Sequence, residues 1–406
     1  MKQNPLPTIN MLYCNLQYAE TTHSQLPDII KDSYNPVLDE LLKRKNTKML
    51  MLLTGRTIEI LAEKYPKTLA KFQKLVKRNS VQLVGGTYTN PVLPIIPRIS
   101  QEKQIKTHLD LVKKYFNVKP NGFALPEYAW DPSLSKLLDS FDFKWTIIPH
   151  HLIEYSARSN ESAPIKAKRK SYSGDIGAKI LEKPIFYKIF SLYPLYRSFQ
   201  REVSLTDHEP FIIDASIDKI IGLNNNRSWS ALINLVMTRK GLQTWTGLKG
   251  KIKRQIKYGK GLFFPYFVDI ENIGFKGGNS PLNVSVKSFM KYLDLLKKMN
   301  IKYTWPDEYL KENKAERKIY VKAGSGEPGT KLSLWTEEPD NQVLNMLCNQ
   351  IREKIIKEKD NKKAEKAWHY LMLAENGDGR GWNPVPEKRL ACFQAAEKAL
   401  EIFEQN

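Results

Sequence analysis

Two carboxylates in aromatic surroundings carry the chemistry that this chain can be asked about. Glu127 lies in Leu125-Pro126-Glu127-Tyr128-Ala129-Trp130-Asp131-Pro132, and Asp269 in Phe267-Val268-Asp269-Ile270-Glu271-Asn272-Ile273-Gly274. Each ends a strand-like apolar run. Breaking a glycosidic bond passes through a cation-like transition state, so it needs one carboxylate at the anomeric carbon and one carboxylic acid to protonate the leaving oxygen. Glu127 is the candidate nucleophile and Asp269 the candidate acid/base. The acid form of Asp269 must then persist near the working pH, which requires burial or a neighbouring like charge. Glu271, two residues on, would share a strand face with Asp269 and supply that charge. A separation of roughly 5 Å between the two carboxyl groups implies retention of configuration, and about 7 Å or more implies inversion.

Other residues have the right chemistry to hold a sugar. Thr87-Tyr88-Thr89-Asn90 offers hydroxyls and an amide without added charge, and Asn15 and Gln17 follow the first strand-like run. Tyr18, Tyr88, Trp130 and Trp382 present flat rings that could stack on sugar faces or simply pack in a core. Asp378 lies beside Trp382 in a glycine-rich stretch. Read alone, a strand-end glutamate is equally a helix cap or an ion-pair partner.

Several of these segments resemble glycoside hydrolase family 57, the α-glucan hydrolases and glucanotransferases. Glu127 and Trp130 fall on its third motif, W-L-P-E-x-A-W, and Asp269 to Gly274 on its fourth, D-Y-E-T-F-G, with Ile273 for Phe. Val84-Gly85-Gly86-Thr87-Tyr88-Thr89-Asn90-Pro91 looks like the second motif, with Asn90 where His or Glu is usual. Tyr13-Cys14-Asn15-Leu16-Gln17-Tyr18 stands for the first, H-x-H-Q-P, keeping Gln17 but with Cys14 and Leu16 for both histidines. Leu371 to Trp382 is similar to a C-terminal L-L-A-x-x-S-D-W motif, with Gly377 for Ser and the Trp displaced; a glycine-rich helix end is the structural alternative. The resemblance implies a seven-stranded (β/α) barrel, a nucleophile at Glu127 and an acid/base at Asp269. It further implies sugar contacts from Asn15, Gln17, Tyr88, Asn90, Trp130, Glu271, Asp378 and Trp382. The loss of both histidines implies weak glucan binding, restorable by Leu16→His.

The elements that must position these groups follow the rhythm of βα units. Near-continuous apolar runs at Pro7 to Leu16, Lys48 to Leu53, Val81 to Val84, Gly122 to Pro126, Lys144 to Ile148 and Leu262 to Ile270 suit strands covered on both faces. Between them run helical stripes: Ile58, Leu61, Tyr65 and Leu69; Ile105, Leu109 and Val112; Leu134, Leu137 and Leu138; Val286, Phe289, Leu293 and Leu296. In parallel barrels, functional residues gather at the C-terminal strand ends, which places Gln17, Tyr88, Glu127 and Asp269 on one rim. Residues 155–260 break the rhythm, with turns expected at Tyr193 to Arg197 and Thr206 to His208, and a surface hairpin or helix entry at Asn224 to Arg227. The fold expected is α/β: a distorted (β/α)7 barrel over residues 1–310, then over 311–406 a hairpin at Lys318 to Val321 and Lys331 to Trp335, and a small helical bundle. The last bundle stripe reads Leu390, Phe393, Ala396, Leu400 and Phe403.

Composition bounds the alternatives. The chain has 406 residues, enough for one barrel and an accessory unit. Its start lacks a signal-like apolar core and no apolar run is long enough to span a bilayer, so a cytoplasmic location without membrane contact is expected. Three scattered cysteines and six histidines without ligand spacing favour no disulfide framework and no metal, and no cofactor is expected. His150-His151 reads as a hydrogen-bonded pair at a strand end. The net charge of +21, with clusters at Lys166 to Lys170 and six basic residues among Lys249 to Lys260, leaves a polyanion such as nucleic acid open as a partner beside the carbohydrate substrate. No nucleic-acid module accompanies the charge. A carbohydrate-binding pseudoenzyme and a metal-dependent polysaccharide deacetylase are the other readings, the latter lacking its Asp and His set.

Overall fold

The computed structural model describes residues 4–158, 207–215, 219–239, 244–277, 283–326, 331–381 and 384–404. Seven parallel strands make the barrel wall: β1 (Leu6–Cys14), β2 (Met49–Leu53), β3 (Val81–Leu83), β4 (Gly122–Phe123), β5 (Trp145–Pro149), β8 (Ile221–Asn225) and β10 (Phe263–Asp269). Ladders join β10 to β1, β1 to β2, β2 to β3, β4 to β5 and β5 to β8. One bridge, Gly85 with Phe123, joins β3 to β4. The barrel is distorted at the remaining seam. There β6 (Asp207–His208) pairs with β9 (Lys260–Gly261), and β7 (Phe211–Ile213) runs antiparallel to β8. The tip of the seam is spanned by a side chain, Asn225 Nδ2 donating to the Phe264 carbonyl at 3.1 Å. Gly261 sits in this wedge at φ +80°, where a Cβ would lie 2.0 Å from the His208 carbonyl carbon, so only glycine fits.

Alternation along each strand sorts side chains into two cores. Ile9, Met11, Leu50, Leu52, Ile147 and Phe264 pack inside the barrel. Leu12, Cys14, Met49, Met51 and Leu53 face outward against the helices. Because β1 turns its odd residues inward, Tyr13 points to the barrel mouth and Cys14 away from it. The expected helices form, but the stripe from Ile58 to Leu69 is two helices, Gly55–Lys64 and Pro66–Lys77, broken where Pro66 can only start a helix.

Four expectations need correction. Asn224 and Asn225 are not on a surface hairpin; they end the buried sixth barrel strand, β8, and Asn226 caps the helix Arg227–Thr238 by accepting from Ser228 N. Asp207 and His208 are a strand, not a turn, because they fill the open seam. The hairpin after residue 311 is absent: β12 (Lys318–Ile319) pairs in parallel with β7, and Ser333–Thr336 is a helical turn. In the final helix, Pro386–Glu404, the buried face is Cys392, Ala395, Ala396, Ala399 and Ile402, while Leu390 is 55% exposed. Residues 159–206, including Lys166 to Lys170 and Tyr193 to Arg197, lie outside the described residues.

The helices Pro339–Lys357, Asn361–Ala374 and Pro386–Glu404 enclose a core of their own around Leu344, Ile351, Leu371 and Ala396. They dock on the barrel through the loop after β3. Thr89 Oγ1 donates to the Met372 carbonyl at 2.6 Å, and Gly377 N to the Asn90 carbonyl at 3.2 Å. β11 (Ile301–Tyr303) pairs with the start of β1. No helix among the described residues is long and apolar enough to cross a membrane.

Candidate active site

The ladder between β1 and β10 sets Tyr13 opposite Asp269 at the C-terminal lip of the barrel. Beyond Tyr13 the chain leaves the strand and the polar groups interlock. Glu271, in the 3-10 turn Ile270–Asn272 that follows β10, accepts at Oε1 from Asn15 N (2.8 Å) and from the Tyr34 hydroxyl. Asn15 Nδ2 donates to Asp378 Oδ2 at 2.7 Å, and Asn90 Nδ2 donates to the same oxygen at 3.3 Å. The Tyr13 hydroxyl donates to Asn90 Oδ1. One connected network therefore ties β1, the loop after β3, the turn after β10 and the C-terminal helices together.

Glu127 arrives on a different kind of backbone. It occupies a one-turn 3-10 helix, Pro126–Tyr128, in which Glu127 (φ 55°) and Tyr128 (φ 52°) are both left-handed. Two consecutive non-glycine residues there cost of the order of 1–3 kcal/mol each, a strain that persists only when neighbours enforce it. The enforcing contacts are present. Gly326 N donates to the Glu127 carbonyl (2.8 Å), Trp130 and Gly324 exchange backbone bonds (2.8 and 2.9 Å), and the Tyr128 hydroxyl donates to Asn225 Oδ1 (2.9 Å). Arg227 lies 5.5 Å from the Tyr128 ring centroid and donates to the Gly326 carbonyl.

Electrostatics shows how these acids are grouped. Burial pushes the Asp269 carboxyl well above the usual carboxylate range, and the charges of Glu271, Glu127, Asp378 and Glu20 push it further. Asp378 is raised to about 7, by burial first and then by Glu127. Burial likewise raises Glu271 to about 7, against the pull of its Tyr34 and Asn15 donors. Tyr13 is also held protonated, by burial first and then by Asp378, Glu127, Asp269 and Glu271 together. Four acids that converge on one phenol cannot all ionise at neutral pH, so protons are retained here. Lys388 is a buried cation close enough to lower Asp378 and Glu271; burial lowers its own pKa, and its Nζ has no hydrogen-bond partner among the described residues.

A strand-end acid whose hold on its proton is strengthened by burial and by other carboxylates suits glycosidic chemistry. The model of Glycosyl hydrolase family 57 matches residues 9–322. The chain belongs to this family. It is 26% identical over 182 residues to a 4-alpha-glucanotransferase of Thermococcus litoralis, covering 44% of this chain and 27% of that protein. It is 28% identical over 161 residues to an alpha-amylase of Pyrococcus furiosus, covering 40% of this chain and 24% of that protein. The matches thus span about a quarter of the length of these two relatives. The fold is that of a family 57-type branching enzyme from Pyrococcus horikoshii, with a TM-score of 0.66 at 16% identity over 99% of this chain and 88% of that one. It is also that of the Thermococcus litoralis 4-alpha-glucanotransferase, with a TM-score of 0.69 at 15% identity over 97% of this chain and 58% of that one.

The family 57 motif positions do not all reach the network. Asn15, Asn90, Glu271 and Asp378 are its members, although Glu271 does not share a strand face with Asp269, because β10 ends at Asp269 and the turn carries Glu271 inward. Gln17 is bound through its backbone to Asn15 Oδ1 (3.1 Å), and its buried Oε1 has no donor among the described residues. Tyr18 meets Asn272 Nδ2 at 3.4 Å. Two expected sugar platforms are core residues instead. Trp130 is fully buried, with Nε1 donating to the Val321 carbonyl at 3.1 Å. Tyr88 is fully buried too, its hydroxyl donating to Glu59 (2.6 Å) and its ring lying 6.0 Å from His369. Trp382 lies outside the described residues. Gly377–Gly379 is a separate 3-10 turn capped by Asn376, not the end of the preceding helix.

Cys14 and Leu16, set against the two histidines of the first motif, face the helices and not the site. The polar pair that does face it, Tyr13 and Asn15, carries the same spacing of two. Tyr13, Tyr34 and Tyr128 were all missed as site residues, though the parity of β1 would have pointed Tyr13 inward. His150 and His151 are hydrogen-bonded at the end of β5, to Asn224 Nδ2 and the Ser325 carbonyl, both at 3.1 Å. Among the described residues no group of three His, Cys, Asp or Glu could hold a metal.

Proposed function

We propose that this protein is a retaining glycoside hydrolase or glucanotransferase acting on α-glucans. The observation that carries the reading is the buried Asp269 carboxyl at the strand end opposite Tyr13 in a family 57 chain, raised well above the usual carboxylate range by burial and by the charges of Glu271 and Glu127. In the proposed reaction the Glu127 carboxylate attacks the anomeric carbon while the Asp269 proton passes to the glycosidic oxygen, which leaves as a sugar hydroxyl. Asp269, now ionised, takes a proton from water or from an acceptor sugar as that oxygen displaces Glu127. Asn15 and Asn90 both donate to Asp378, and Asn90 in turn holds the Tyr13 hydroxyl at the mouth. Gln17 Oε1 supplies an acceptor for a sugar hydroxyl. The barrel of residues 1–310 is taken as the catalytic part, and the helices of 311–406 as the unit that brings in Asp378. Relatives named alpha-amylase and 4-alpha-glucanotransferase support the substrate class.

Incubation with maltooligosaccharides of one length, with products resolved by size, tests this reading. Shorter products alone indicate water as acceptor, and longer ones indicate sugar transfer. Glu127→Gln and Asp269→Asn should each lower turnover by at least about a thousandfold, in line with loss of a nucleophile or of acid catalysis. No conversion by the wild-type protein, or unchanged turnover in both folded variants, refutes the proposal.

A further inference from the structure

A hollow of about 460 Å³ lies between the loop after β3, at Pro94 to Pro97, and the C-terminal helices. Two buried arginines line it, Arg352 (6% exposed) and Arg380 (1% exposed). Each nitrogen of Arg352 has one partner, which leaves two of its five N–H groups: Nε donates to Ser100 Oγ (2.9 Å), Nη1 to Asn349 Oδ1 (2.7 Å) and Nη2 to Glu375 Oε1 (2.7 Å). Arg380 meets only neutral acceptors. Its Nη1 donates to Asn345 Oδ1, and its Nη2 to the Ala374 carbonyl (3.0 Å) and Cys348 Sγ (3.5 Å), while its buried Nε has no partner among the described residues. Burial pushes the Cys348 thiol up to about 11, so it offers no countercharge. The carboxylate of Glu375, which also lines the hollow, is paired with Arg352, so Arg380 is left without a charged partner among the described residues. Arginine cannot shed its proton to relieve burial, and an uncompensated buried charge is strongly unfavourable.

We propose that this hollow is a binding site for a phosphate-sized oxyanion, free or carried on a phosphorylated sugar, held against Arg380 and Arg352. A phosphate oxygen would give the unpartnered Arg380 Nε a charged acceptor, whereas a neutral glucan offers acceptors but no countercharge. The volume exceeds what a bare phosphate fills and is within the range of small-molecule sites. Arg380 follows directly on the turn Gly377–Gly379, so the ligand braces the turn that carries Asp378.

The net charge of +21 will attract anions unspecifically, so the test must act on this hollow alone. Asn345→Asp places a carboxylate of nearly the same shape on Arg380 Nη1, supplying the missing countercharge from within. Calorimetry and thermal unfolding of the full chain, at fixed ionic strength, use inorganic phosphate, glucose 1-phosphate and glucose as probes. Wild type should bind at least one phosphate compound and not glucose. Asn345→Asp should melt higher without ligand and bind that compound at least tenfold more weakly. Tighter binding of glucose 1-phosphate identifies a sugar phosphate as the ligand, and equal affinity identifies the bare oxyanion. Absence of binding by wild type, equal affinity in Asn345→Asp, or a lower melting temperature of that variant overturns the proposal.

Discussion

Placing the family-like serine at position 377 should damage this protein. A Cβ on Gly377 would lie 2.6 Å from the Asn90 carbonyl oxygen, with Val92 Cγ2 at 3.4 Å and Val92 N at 3.7 Å. Reaching an ordinary 3.4 Å contact requires a shift of about 0.8 Å in one backbone or the other. The same carbonyl accepts the Gly377 amide, and the Asn90 side chain holds both Tyr13 and Asp378, so the shift passes directly into the network. Overpacking of this kind costs about 1–3 kcal/mol. Misplacing catalytic surroundings by about 1 Å costs on the order of a hundredfold in rate. Gly377→Ser and Gly377→Ala should therefore lose similar stability in urea unfolding and similar turnover on maltooligosaccharides, since the clash belongs to Cβ and not to the hydroxyl. Gly250→Ala is the control: it lies in the helix Trp245–Tyr258 with nothing within 4 Å of its Cβ, and should gain about 0.4–1 kcal/mol. Wild-type stability in both Gly377 variants, or higher activity in the serine variant, refutes the close-approach argument.

Two further outcomes follow from buried groups. Glu271 is held near 7 against an ordinary 4.5, so between those values the unfolded chain ionises while the folded one keeps its proton; its contribution is largest below about 4.5 and is lost as pH rises toward 7. Urea unfolding from pH 4.5 to 7.5 should show the stability of wild type relative to Glu271→Gln falling by up to about 1.4 kcal/mol per pH unit, and a difference independent of pH counts against the assignment. The difference between variants is the right readout, because His108 and His151, lowered by burial to about 3 and about 4, bend the wild-type curve the opposite way. Leu16→His should cost roughly 2–4 kcal/mol without improving glucan affinity, because Leu16 is 1% exposed in the core between strand and helices, where an imidazole has no polar surroundings. Tighter binding of maltooligosaccharides by that variant shows that position 16 faces the substrate after all.

What the sequence disclosed, and what it hid, divides along physical lines. Strands covered on both faces are apolar throughout, so β1, β2, β5 and β10 stood out. The sixth barrel strand, β8, ends in Asn224 and Asn225 because its tip lines the barrel mouth, and three asparagines in a row read as a surface turn. The strand at Asp207 and His208 is too short to have a period and exists only because the seam between β8 and β10 is open. Aromatic residues carry no direction in a sequence, which is why Trp130 and Tyr88 passed for sugar platforms while serving as core.

Carboxylates were easier to find than to orient. Glu127 and Asp269 were marked by strand ends and neighbouring rings, and Asp378 by its glycine-rich stretch. Glu271 was assigned the face of Asp269 by the period of two, a rule that fails once the strand stops. Yet Glu271 still acts on Asp269 through its charge, since a buried carboxylate needs proximity for that and no shared face. The same parity resolves the first motif. β1 turns Tyr13 inward and Cys14 outward, and the chain beyond it sends Asn15 to Asp378 and Leu16 to the helices. The two positions set against histidines are therefore wall residues, selected for packing. The lip retains a polar pair two residues apart, with a phenol and an amide that stay neutral among four acids where an imidazole would take up a proton. With a neutral phenol and amide at the lip, burial and the charges of Glu271, Glu127, Asp378 and Glu20 raise the Asp269 carboxyl with no opposing cation supplied by β1.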